Sequence, residues 1–418
     1  MVEYQNEKEI PFVEFVIIIS LMMSLTALSI DGMLPALPQI GSDLQVHSAN
    51  NRQLVVSTMF LGLGIGQLFF GPLSDKTGRK PAVTGGYAIF MLGALLAASS
   101  KNFGLLLAGR FLQGIGGSAP RAVTMAIVRD RYEGRMMARV MSFVMTVFIL
   151  VPMVAPSLGQ AVLSFSSWRG IFICFVLIAA ITLTWFLMRM PETLAEENRS
   201  PFTGGRIWQA FLEVAGNRTA IGYTVSSGLV GGAFLGYLNS SQQIFQEQYS
   251  LGKLFPVVFS AISLSIGLAS LVNTRLVMQW GMRFLVKWSM VIIVSLAVLG
   301  MAVALFFGGH PPLGLLLGYI LLTFFCIGIL FGNQNSLAME PLGHLAGIGA
   351  AVVGSVGTLI QMVLGTIIGQ SYNGTVIPLI AGLGGLTALA FLVVIWTERK
   401  TREVDIMSEA HNGGDIYD

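Results

Sequence analysis

Gly71-Pro72-Leu73-Ser74-Asp75-Lys76-Thr77-Gly78-Arg79-Lys80-Pro81 is a short charged turn set between two long apolar runs, Leu54 to Phe70 and Ala82 to Ser99. Two runs of membrane-crossing length that close together form a tight helical hairpin. Three basic residues in so short a loop place it on the cytoplasmic side of a bilayer. Gly71 lets another backbone come close, Pro72 interrupts the helical ladder, and Gly78 supplies a turn. Asp75 suits the positive N-terminal end of a neighbouring helix. The segment therefore reads as a hinge rather than a plain connector.

The rest of the chain repeats that pattern of apolar runs and short polar turns. Of 418 residues, 54% are hydrophobic and 11% charged, against about 25% charged in soluble domains. Apolar runs fall at 12–38, 53–71, 82–100, 104–127, 137–163 and 168–190, then at 218–244, 254–277, 284–307, 312–337, 345–371 and 375–397. The expected fold is all-α, with twelve transmembrane helices in two six-helix, pseudo-symmetric bundles, 1–190 and 218–397. The one long polar interior segment, 191–217, reads as a cytoplasmic linker, and 398–418 as a disordered cytoplasmic tail.

With the N-terminus inside, 18 of the 24 Lys and Arg residues lie in cytoplasmic segments, only Arg52, Lys101, Arg169 and Lys253 lie outside, and Arg110 and Arg121 lie within a span. That asymmetry sets the expected orientation, with both termini cytoplasmic. The polar, slightly acidic start (Met1 to Pro11) does not read as a cleavable signal. A formal charge of +3 gives no reason to expect nucleic acid as a partner. Cys174 and Cys326 sit inside apolar runs as packing residues, and the four histidines fall in loops or the tail. No metal site and no cofactor are expected.

About two hundred residues after the opening stretch comes Asn273-Thr274-Arg275-Leu276-Val277-Met278-Gln279-Trp280-Gly281-Met282-Arg283. It keeps a Gly-x-Arg ending and lacks the aspartate, as a degenerate copy in a parallel repeat would. Gly62/Gly66 and Gly365/Gly369 are small-xxx-small pairs that let helices touch.

Charges inside the spans mark candidate sites. Ser20, Ser24, Ala27 and Asp31 share one face of the first helix. Asp31 falls past the bilayer midplane, just before Gly32, Pro35 and Pro38, where an unpaired carboxylate should face a cavity or a partner. Arg110 lies in the same outer half. Arg121, eleven residues on, returns to nearly the same face closer to the cytoplasm. In the second half Tyr223, Ser227, Phe234, Tyr237 and Ser241 share a face, and Asn239, Gln242, Asn333, Asn335 and Gln361 add neutral polar groups. Methionines and aromatics with few fixed charges suit varied lipophilic compounds. Glu340 reads as interfacial.

The 71–81 stretch resembles the loop signature of the major facilitator superfamily, G-x-L-[SA]-D-[RK]-x-G-R-[RK], between helices two and three. Leu28-Ser29-Ile30-Asp31-Gly32-Met33-Leu34-Pro35-Ala36-Leu37-Pro38 is similar to the first helix of its bicyclomycin/chloramphenicol resistance group. Arg110-Phe111-Leu112-Gln113-Gly114-Ile115-Gly116 resembles the R-x-x-Q-G-x-G motif of proton-driven members. Ala155-Pro156-Ser157-Leu158-Gly159-Gln160 is similar to the antiporter motif G-P-x-x-G-G, departing at Ala155 and Gln160. Arg121 stands one turn before the arginine of the group's A-R-A-I-V-R-D pattern, whose arginine falls at Met125.

The resemblance implies a monomeric, proton-driven antiporter, not an enzyme, that exports lipophilic or zwitterionic small molecules across the inner membrane. Proton coupling is expected at Asp31 with Arg110, and gating at Gly71, Asp75, Gly78 and Arg79, with Asp75 meeting the start of span eleven near Leu345. Pro156 and Gly159 carry the antiporter motif. A substrate cavity is expected from Ser24, Asp31, Arg110, Tyr223, Tyr237, Asn239, Gln242, Asn335 and Gln361, with Arg121 the lesser of the two arginines. The alternatives are a transporter of one metabolite, such as a sugar or amino acid, and then a membrane sensor or enzyme.

Overall fold

The computed structural model describes residues 10–201 and 203–412, and every regular element within them is helical. In chain order these are α1 (Phe12–Asp31), α2 (Leu37–Asp43), α3 (Leu54–Thr77), α4 (Arg79–Ala98), α5 (Phe103–Arg131), α6 (Gly134–Phe165) and α7 (Trp168–Arg189). Then follow α8 (Gly204–Gly216), α9 (Arg218–Gln242), α10 (Phe255–Trp280), α11 (Met282–Phe306), α12 (Leu313–Met339), α13 (Ala346–Gln370) and α14 (Ile377–Asn412). Short α2 continues α1 after a break, and α8 lies in the linker.

Eleven helical stretches among the described residues are long and apolar enough to cross a membrane. The twelfth expected span, α5, has the length but is diluted by Arg110, Gln113, Arg121 and a run of glycines. Those glycines let it lie between α3 and α4 at backbone contact. A Cβ on Gly62 would stand 2.2 Å from the Phe111 carbonyl, and one on Gly114 would stand 2.1 Å from the Met59 carbonyl. Large apolar side chains such as Leu177, Ile181, Val298 and Leu392 face outward, as they must where lipid replaces water as the solvent.

The long helices alternate in direction. The α3–α4 and α5–α6 turns, the linker, the α10–α11 and α12–α13 turns and the end of α14 therefore share one end of the bundle, the basic end. Two ion-pair clusters organise it. The Arg79 guanidinium donates to Asp130 (2.8 Å), Asp75 (2.5 Å) and the Ser74 hydroxyl (2.9 Å). Glu192 accepts from the backbone N–H groups of Arg79 (2.8 Å) and Lys80 (3.0 Å), capping α4. Gly78 is required there: its φ is +99°, and a Cβ would press on Glu192 Oε2 at 2.6 Å.

The second copy mirrors this. Arg283 pairs with Glu340 (2.7 Å) and Glu398 (3.2 Å), and Gly281 takes a φ of +75°. The carboxylates come from the residue after α12 and from within α14. Met278 stands where Asp75 would, so this cluster lacks the pair within the turn.

One expectation at this end is corrected. The chain does not lose regular structure at 398, because α14 runs to Asn412 and Glu398 is held by Arg283 and by the Tyr223 hydroxyl (2.7 Å). Residues 413–418 lie outside the described residues.

Candidate functional site

The first span breaks where its carboxylate sits. α1 ends at Asp31, and Gly32, a 3-10 turn at Leu34–Ala36 and α2 follow. Pro35 and Pro38 cannot donate to a continuing ladder. Asp31 is 6% exposed and makes no ion pair or side-chain hydrogen bond among the described residues. It opens instead onto a cavity of about 420 Å³ between the two sets of helices. Tyr237, Asn335 and Gln361 line that cavity, as expected, together with Phe60, Phe148, Phe234, Phe324 and Phe331.

The cavity leads into a vestibule of about 700 Å³ that reaches Ser74, Asp75, Arg129 and Gly347 at the basic end. The other end is sealed. Asn50 donates to the carbonyls of Gln370 (2.9 Å) and Tyr372 (2.8 Å), and Gln370 donates back to the Asn50 carbonyl (2.9 Å). Gln243, on a π-helical turn that continues α9, donates to Asn50 Oδ1 (2.8 Å). Arg52 pairs with Glu247 (3.1 Å), and Asn239 donates to the Ser57 hydroxyl (3.0 Å). Among the described residues, no side-chain hydrogen bond joins the two sets of transmembrane helices closer to the basic end than the level of Gln67 to Thr358 and Ser355 to Gly64. The cavity thus faces the basic end.

The other expected cavity residues lie elsewhere. Ser24 is buried within the helices with its hydroxyl unpartnered. Tyr223 points to the basic end, where it bonds Glu398. Asn239 belongs to the seal, and Gln242 donates to Glu247 beside it (3.3 Å). Arg110, wholly buried, donates to the carbonyls of Val55 (3.0 Å) and Ser29 (3.1 Å) and to Gln113 (2.9 Å). It is not ion-paired with Asp31. Its hydrogen bonds tie α5 to α1 and α3, a linking rather than a lining position.

Arg121, expected to be the lesser of the two arginines, is the one placed at the cavity. It lines both cavity and vestibule, is exposed to them, and has no partner among the described residues. The spacing of eleven put both arginines on one face, but the neighbours of that face change with depth. At Arg110, α1 and α3 cover it; at Arg121 it borders the cavity and the vestibule. Gln67 and Phe148 also line both spaces, and a lone glutamine and phenylalanine in apolar spans gave no signal.

The remaining motif residues surround Asp31 and the hinge. Gly159 of α6 meets α1 immediately after the carboxylate: a Cβ there would stand 2.0 Å from the Gly32 carbonyl. Pro156 lies one turn earlier within α6. At the basic end, a Cβ on Gly347 would stand 3.9 Å from Asp75 Oδ2. Asp75 therefore faces the start of α13 without a hydrogen bond to it. Gly71 faces Ala351 on the same helix. Among the described residues, no cluster of three or more His, Cys, Asp or Glu is placed to hold a metal ion.

Comparison with known proteins agrees with this architecture. The profile of the Major Facilitator Superfamily matches residues 19–363. An uncharacterized MFS-type transporter of Bacillus subtilis is 32% identical over 87% of this chain and 90% of its own length. A bicyclomycin resistance protein homolog of Haemophilus influenzae is 25% identical over 93% and 96%. The crystal structure of the human organic anion transporter MFSD10 superposes with a TM-score of 0.70, at 19% identity, over 92% of this chain and all of that one. The chain belongs to the major facilitator superfamily and falls with the bicyclomycin/chloramphenicol resistance group of its transporters.

Proposed function

We propose that this protein exports lipophilic or zwitterionic small molecules from the cytoplasm in exchange for protons, by alternating access. The observation that carries the reading is Asp31: a buried carboxylate without a partner, facing an aromatic cavity that is open at one end of the bundle and closed at the other. Such a group is costly inside a membrane unless function uses it. Its relatives' names, among them resistance to bicyclomycin, support drug-like cargo.

In the proposed cycle a proton and a drug compete for Asp31. Facing the cytoplasm, the cavity takes drug as Asp31 loses its proton; facing outward, proton loading releases the drug. Competition is reciprocal, so each weakens the other's binding by the same factor. The basic end is proposed as cytoplasmic, with both termini there and the chain in the inner membrane. The distribution of Lys and Arg supports this orientation. A monomer suffices, because one chain supplies the whole cavity.

Asp75 is proposed as the latch. In the present state it pairs with Arg79 and stands by the α13 N-terminus without a hydrogen bond to it; in the outward-facing state it would take up those N–H groups. Gly71, Gly78 and Arg79 hold the turn that presents it.

A transporter of a single sugar is the second reading. The six phenylalanines in the lining give apolar surface that a polyhydroxylated sugar would not use, which weighs against it. Everted vesicles carrying the protein should accumulate a lipophilic fluorescent dye only under an imposed, inside-acid pH gradient, and lose it with a protonophore. Accumulation indifferent to the gradient, or none beyond that of empty vesicles, would overturn the proposal.

A further inference from the structure

Among the described residues, Asp31 and Arg121 are the only charged ones lining the cavity, and each lacks a protein partner there. Their spacing can be read from one contact. Thr26 Oγ1 donates to the Gly117 carbonyl at 2.8 Å, so those residues are level. Asp31 lies five residues past Thr26 toward the sealed end. Arg121 lies four residues past Gly117 toward the basic end. At ~1.5 Å per residue their Cα atoms stand about 13 Å apart along the bundle. Phe148, Phe234, Phe324 and Phe331 supply aromatic surface to the same cavity.

We infer that the cavity selects elongated aromatic zwitterions, with a cationic group against Asp31 and a carboxylate or similar anion against Arg121. An unpaired charge in a poorly solvated wall gains from an opposite charge held against it in good geometry, which offsets the cost of desolvating both. The guanidinium fork matches a carboxylate in two-point geometry. An α-amino acid, whose two charges flank one carbon, cannot reach both groups. A neutral lipophile fills the aromatic middle and leaves both charges unanswered. The open vestibule beside Arg121 admits the anionic end last, so the cationic end leads inward. Asp75 and Arg129 at the vestibule mouth are the other charged residues along this path.

This deepens the efflux proposal by naming its cargo class, and it is tested by equilibrium binding, independently of transport. The probe is 4′-(aminomethyl)biphenyl-4-carboxylate, with its methyl ester, its N-acetyl derivative and phenylalanine as comparisons, titrated against the purified full chain in detergent. The zwitterion should bind at least tenfold more tightly than either singly charged derivative, and phenylalanine should not compete. Arg121→Gln should abolish the preference over the ester while leaving ester binding unchanged, and Arg121→Lys should restore part of it. Asp31→Asn should abolish the preference over the N-acetyl compound.

Equal binding of zwitterion and ester to the parent protein, or no binding of the zwitterion, overturns the inference without using a variant. So does an Arg121→Gln protein that weakens all probes alike. If the binding preference holds while vesicles show no gradient-dependent export, the transport reading fails and the site assignment stands.

Discussion

Three charged residues inside the bundle carry different loads. Arg110 spends its donors on the backbones of α1 and α3, whereas Arg121 spends none on protein among the described residues. Removing Arg110 strands two buried carbonyls and the Gln113 amide oxygen, at about 1–3 kcal/mol for each unsatisfied group. Arg110→Met should therefore lower the melting temperature in detergent clearly, and transport should fall with it. Arg121→Gln should melt close to the parent and fail in binding selectivity instead. Equal melting of both variants with the parent would show that Arg110 is not the link its hydrogen bonds describe. Asp31 was legible in the sequence because a carboxylate in an apolar run has few reasons to be there. The two arginines were not separable, because periodicity fixes a helical face and says nothing of what covers that face at each depth.

Among the elements, the α1–α6 contact and the turn between α3 and α4 matter most. Gly159 lets α6 touch the broken end of α1 beside Asp31, so any side chain there collides with backbone rather than with a movable neighbour. Gly159→Val should cost about 1–3 kcal/mol or more through overpacking, read as a lower melting temperature with loss of coupled transport. A Gly159→Val protein with the parent's stability and transport would show that this contact is dispensable. At the turn, Arg79 is almost fully buried against Asp130 and Asp75. Arg79→Ala leaves those carboxylates without their cation, a loss of about 3–5 kcal/mol for a buried pair, and poor yield of folded protein is expected. Asp75→Asn keeps a polar side chain and should fold. The turn was readable at Gly78, but Gly71 and Pro72, read as part of it, lie within α3. Its partners Asp130 and Glu192 were not readable, because they lie 51 and 113 residues from Arg79 and only the packed helices bring them to it. The sealing contacts were hidden for the same reason: Asn50 reads as a loop residue until Gln370 and Gln243 are set beside it.

For the whole molecule, the two states of the proposed cycle differ in which end is joined. The seal at the far end consists mainly of neutral hydrogen bonds worth about 1 kcal/mol each net. Moving a two-state equilibrium from 1:99 to 99:1 takes about 5.5 kcal/mol, so several such bonds together have the right size. Asp75→Asn should weaken the outward-facing state, raising cysteine labelling of a Ser74→Cys position from the cytoplasmic side and slowing transport. Unchanged labelling and transport in a well-expressed Asp75→Asn protein would remove the latch. The all-helical, many-span fold was legible from the apolar runs, since each span must satisfy its own backbone in lipid. The direction in which the cavity opens was not, because one sequence serves both states and only their relative energies choose between them. Competition of drug and proton for Asp31 is read from proton release when drug is added to purified protein in weakly buffered detergent solution. The parent should release protons on saturation with drug, and Asp31→Asn should bind the drug yet release none. Equal release from Asp31→Asn would place the coupling carboxylate elsewhere and contradict the account.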